Sequence, residues 1–143
     1  MYVGELADTE FFLAIAITDK SMVGYICDGK SRAQWYTGSP TEGTTTLQAK
    51  NGEQLNVRLS REEAKGSVTV AGTEHNFTLG GAERHPSGLY RHEVTVEGKQ
   101  HISGYVVLND GRGKGLTLAD GKPQKAGELS IFSTARRPII TPY

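Results

Sequence analysis

The chain has 143 residues, 18 of them glycine, and 16 basic side chains balance 16 acidic ones. That length suits one domain whose core needs neither metal nor disulfide, and the lone cysteine, Cys27, excludes an internal disulfide. Zero net charge gives the whole molecule no strong preference for a phosphate backbone or an anionic lipid surface, and no stretch approaches the roughly 20 apolar residues of a transmembrane helix.

The opening Met1-Tyr2-Val3-Gly4-Glu5 lacks the basic and long apolar regions of a signal peptide, which leaves both a cytoplasmic protein and a mature exported domain open. The first strand signal is Phe11-Phe12-Leu13-Ala14-Ile15-Ala16-Ile17. It is apolar on both faces, which predicts a central strand or one covered on its second side. Residues 22–27 form the next segment and end at the turn Asp28-Gly29-Lys30. Residues 31–37 carry the sole tryptophan, Trp35, expected to fill core, with ligand stacking as its second reading.

After an aperiodic loop at 38–43, Asn51-Gly52 predicts a hairpin with a type I′ turn joining 45–49 to 55–59. Ser60 three residues before Glu63 suggests one capped helical turn over 60–65, too short to stand alone. A second hairpin turns at Ala71-Gly72, and the loop 80–88 divides the chain into two lobes of pattern. Beyond it, a three-residue connection Val96-Glu97-Gly98 would set Glu93 opposite His101 and His92 opposite Ile102. Tyr90, His92 and Val94 would then share the inward face with Ile102, Gly104 and Val106, and His101 would face out. Segments at 115–119 and 128–133 complete the strands.

With glycine supplying the reversals and no helical stripe lasting three turns, the expectation is an all-β fold. It takes the form of a single compact antiparallel β-barrel or barrel-like meander over 1–134, with a β-sandwich as the alternative. Residues 135–143 read as a short tail able to pack on the domain.

No catalytic motif stands out. Tyr25, Trp35, His75, Tyr90 and His92 are the candidate ligand-binding residues, because each is polar or aromatic on a face expected to point inward. They support a noncatalytic module recognising a small molecule or a protein. The competing reading is an isomerase-, cyclase- or lyase-like enzyme with an interior cavity, in which Asp28, His75 or His92 moves protons; a purely structural or assembly domain is the third. Cys27, following Gly24-Tyr25-Ile26, reads as a buried structural thiol.

No metal and no cofactor is expected, since no zinc-ligand spacing occurs. Gly111-Arg112-Gly113-Lys114-Gly115 lacks the P-loop lysine followed by serine or threonine and reads as a flexible basic turn, so specific nucleic-acid or nucleotide recognition is not expected. Asn76-Phe77-Thr78 matches a glycosylation acceptor but falls in a predicted strand. An unpaired edge strand offers a route to a homo-oligomer.

Overall fold

The computed structural model describes residues 1–18, 20–83 and 87–125; the expected strand at 128–133 and the tail 135–143 lie outside them. The described chain is all-β and contains no helix. Eight consecutive strands close into an antiparallel barrel in sequence order: β1 (Tyr2–Glu5), β2 (Phe12–Ile17), β3 (Met22–Cys27), β4 (Ala33–Gly38), β5 (Thr44–Gln48), β6 (Gln54–Leu59), β7 (Glu63–Val70) and β8 (Thr73–Gly81). Four more, β9 (Gly88–Val96), β10 (Lys99–Val107), β11 (Gly113–Ala119) and β12 (Lys122–Lys125), form a separate sheet in the order β12-β11-β10-β9. The strands are therefore divided between a barrel and a sheet, and the division falls in the 80–88 loop that separates the two lobes of pattern.

Alternation along β2 explains how the two bodies fit. Leu13 and Ile15 point into the barrel beside Met22, Ile26, Tyr36, Leu47, Leu55 and Leu79, all almost fully buried. Phe12, Ala14 and Ala16 point outward and form a second core with Val23, Tyr25 and Cys27 of β3 and Leu89, Val106 and Leu116 of the sheet. A strand apolar on both faces thus lines the barrel on one side and supports the sheet on the other, as its sequence predicts.

Tyr25 locks this second core. Its hydroxyl reaches Gly104 O and Leu116 O, both at 3.3 Å, across the β10–β11 ladder in which those two residues are partners. Gly104 permits the approach: a Cβ there would stand 2.4 Å from Tyr25 Cζ and 2.8 Å from Trp35 Cζ2. At the far end of the same contact, the Arg112 guanidinium bonds Glu5, and the Lys114 ammonium lies 4.5 Å over the Phe12 ring and donates to Glu10 O at 2.6 Å. The basic segment read as a flexible turn is instead clamped to the barrel.

Several local expectations are corrected. Residues 60–65 form no helical turn; Ser60 N–H donates to Glu63 O and β7 already begins at Glu63, because pairing with β6 satisfies the backbone better than one isolated turn. The Asn51-Gly52 turn is not type I′: only Gly52 has positive φ, at 90°, and Ala49 pairs with Glu53 around a three-residue turn. Conversely, the β9–β10 turn has two residues, Glu97 at φ 51° and Gly98 at φ 79°, with Val96 opposite Lys99.

That one-residue change flips β9. Leu89, Arg91 and Glu93 face the barrel with Ile102, Gly104 and Val106, whereas Tyr90, His92 and Val94 turn away with His101, Ser103 and Tyr105. His101 faces outward as expected, but it opposes Val94 rather than Glu93 and shares its face with His92. A non-glycine residue in the left-handed region is rare, so Glu97 conceals the tighter turn; packing of Leu89 and Val106 on the barrel wall selects it.

Candidate functional site

Among the described residues the side chains of the first core occupy the barrel interior, and two clefts open outside it. The larger, about 850 Å³, lies between the barrel wall and the sheet. Val23, Ala33, Trp35 and Thr37 form the barrel side, Lys50 and Asn51 one lip, and Arg91, Gln100, Ile102, Leu118 and Asp120 the sheet side. A narrower extension of about 160 Å³ continues past Gln34, Arg32 and Glu53.

The sheet wall is built by a chain of polar contacts. Glu93 accepts an ion pair from Arg91 Nη1 at 2.9 Å and also meets the Gln100 amide. Arg91 is thereby held with its guanidinium carbon 5.5 Å from the Trp35 ring centre, on a side chain only 29% exposed. Tyr25 packs on the same indole, with ring centres 4.3 Å apart. The indole Nε1 is buried and has no hydrogen-bond partner among the described residues.

The barrel lip is equally fixed. Glu53 accepts from Gln34 Nε2 at 3.0 Å, Asn51 Nδ2 at 2.9 Å and the Gly72 amide at 2.8 Å. The Gln34 bond first, then the Gly72 and Asn51 bonds, hold the Glu53 carboxyl below the usual range against a modest burial effect. Gln34 also donates to Tyr36 Oη at 2.8 Å, which in turn donates to Thr69 O at 2.7 Å. Burial pushes the Tyr36 phenol up to about 12.

The structure brings Tyr25 and Trp35 together but does not gather the other three sequence-selected residues around them. His75 points into the barrel mouth, its ring centre 6.3 Å from that of Phe11. Tyr90 and His92 lie on the opposite face of the sheet, for the register reason given above. Of the five, Trp35 alone lines the large cleft.

The candidate proton carriers do not converge either. Partial burial raises the affinity of Asp28 for a proton, but the amides of Arg32, Lys30 and Ser31 on its carboxylate outweigh that and keep the carboxyl low; it fixes the β3–β4 turn. Cys27 is fully buried, and desolvation pushes its thiol up to about 12, contrary to what a nucleophile needs.

Sequence reading passes over Arg91, Lys50, Gln100 and Asp120. The useful signal was the parity of β9: with Leu89 as the buried residue, Arg91 follows onto the barrel-facing side. Among the described residues no three histidine, cysteine or acidic side chains gather as a metal group, and no helix is long and apolar enough to cross a membrane. Compared with protein-family models, curated proteins and solved structures, the chain matches none.

Proposed function

We propose that the protein is a noncatalytic recognition module that binds a small organic molecule in the cleft between its barrel and its sheet. The observation that supports this most directly is the prearranged Arg91–Trp35 wall. A cation half-withdrawn from water, stacked on an indole and held by Glu93, loses little freedom when a ligand arrives. The volume falls within the range of small-molecule sites, and apolar Val23, Ile102 and Leu118 alternate with polar groups as such sites require.

Backbone amide chemical shifts, recorded with a library of small organic fragments, test the reading. Binding should displace signals from 33–37, 50–51, 100–102 and 118–121 together. The exposed Thr37 permits a second check, since Thr37→Phe fills the cleft from its rim without entering either core and should abolish those shifts. Fragment responses confined to other surfaces, or unchanged by Thr37→Phe, would overturn the assignment.

A further inference from the structure

We infer that the cleft selects organic carboxylates, with Arg91 taking the acid group and Val23, Ile102 and Leu118 the apolar body; this rests on the ligand-binding reading just given. Arg91 spends one amino group on Glu93, and a guanidinium carries five N–H donors, so donors remain for a second carboxylate. The guanidinium is held between the Trp35 ring, 5.5 Å from its carbon, and Glu93, itself tied to the Gln100 side chain. Such a fixed fork matches the two oxygens of a carboxylate, and in a half-buried position the charge-assisted bonds are stronger than at an open surface.

Charge placement around the cleft supports the same class. Lys50, on the barrel lip, has no ion-pair partner among the described residues and adds a second cation. The two carboxylates beside the Arg91 and Lys50 walls, Glu93 and Glu53, are already committed to protein donors. Asp120 lies at the sheet's β11–β12 turn, where its carboxylate accepts from the Gln100 backbone N–H at 3.3 Å. The same lining thus offers an organic acid two cations, Arg91 and Lys50, and the hydrocarbon of Val23, Ile102 and Leu118.

The test uses a matched library of aromatic and alicyclic carboxylates, each paired with its neutral primary amide and with the corresponding organic phosphate, titrated against the emission of Trp35. Wild-type protein should bind at least one acid ten-fold or more tightly than its amide. Arg91→Gln should erase that preference while leaving the weak amide binding in place, and Arg91→Lys, which keeps the charge but not the fork, should fall between them. Circular dichroism and thermal melts confirm that both variants fold.

Equal affinity for acid and amide, or a preference that survives Arg91→Gln, overturns the carboxylate inference and leaves the cleft reading intact. Failure of every acid and every amide to bind in the cleft overturns both. Preference for matched organic phosphates over carboxylates overturns the assignment of ligand class in favour of a different anion.

Discussion

Gly104→Ala is the most direct test of how the sheet is held on the barrel. The added methyl carbon would lie 2.4 Å from Tyr25 Cζ, 2.6 Å from Tyr25 Cε1 and 2.8 Å from Trp35 Cζ2, so the sheet and barrel wall must separate. Overpacking of this kind costs about 1–3 kcal/mol, and weakening the Tyr25 hydroxyl's bonds to Gly104 O and Leu116 O adds roughly 0.5–1.5 kcal/mol. The expected loss is about 2–4 kcal/mol, a large share of the roughly 5–15 kcal/mol that holds a domain folded. With a urea dependence of about 2 kcal/mol per molar, the unfolding midpoint should drop by roughly 1–2 M. Two probes separate the effects: Trp35 emission reports the contact, and far-ultraviolet dichroism reports the strands. The emission change should come first in the variant. Gly80→Ala, where a Cβ meets nothing within 4 Å, is the control and should stay within about 0.5 kcal/mol of wild type. A Gly104→Ala midpoint matching that control would refute the close-contact argument.

Other consequences are equally open to measurement. Cys27 should resist thiol reagents in native protein at pH 8 and react once urea unfolds it; rapid native labelling would show that the second core is open. Tyr36→Phe should cost about 1–2 kcal/mol in denaturant unfolding, because it deletes the bond to Thr69 O and removes one acceptor of the Gln34 amide. Asp28 has a lowered folded pKa, so its contribution to stability is complete above the ordinary carboxylate pKa of about 4 and disappears as pH falls through the folded value. Asp28→Asn should flatten that acid-side slope, and an unchanged pH profile would reject the turn-fixing role.

Strand positions are legible in this chain because alternation and glycine punctuation act locally. Met22–Cys27 is bounded in the sequence as in the fold, and the double-faced apolar pattern of β2 already implies a cover on the barrel's outer side. β1 is harder to see: four residues around Gly4 carry little periodicity, and their pairing with β2 and β8 closes the barrel. The site is hidden for another reason. Its walls come from distant strands, and which side chains enter it depends on whether Glu97 accepts a left-handed conformation. A single torsion at that turn decides that Arg91, rather than Tyr90, pairs with Gly104 and stands over Trp35.

The barrel's seams are unequal, which bears on how the chain assembles. β4 and β5 share only the pair Thr37–Gln48, and β1 and β8 only Tyr2–Gly81 and Val3–Gly80, whereas every other neighbouring pair is zipped over at least four positions. These two seams divide the closed barrel into the runs β1–β4 and β5–β8, and β9–β12 makes a third run of four among the described residues. The fold is thus three successive up-and-down meanders, each made by short reversals between neighbours in sequence. Such pairings close quickly because little loop entropy opposes them, so the meanders should zip independently and the slower steps should be two dockings: one run against the next to close the barrel, then the third onto its wall. Amide exchange should resolve these as three cooperative blocks, with the earliest openings along the two thin seams.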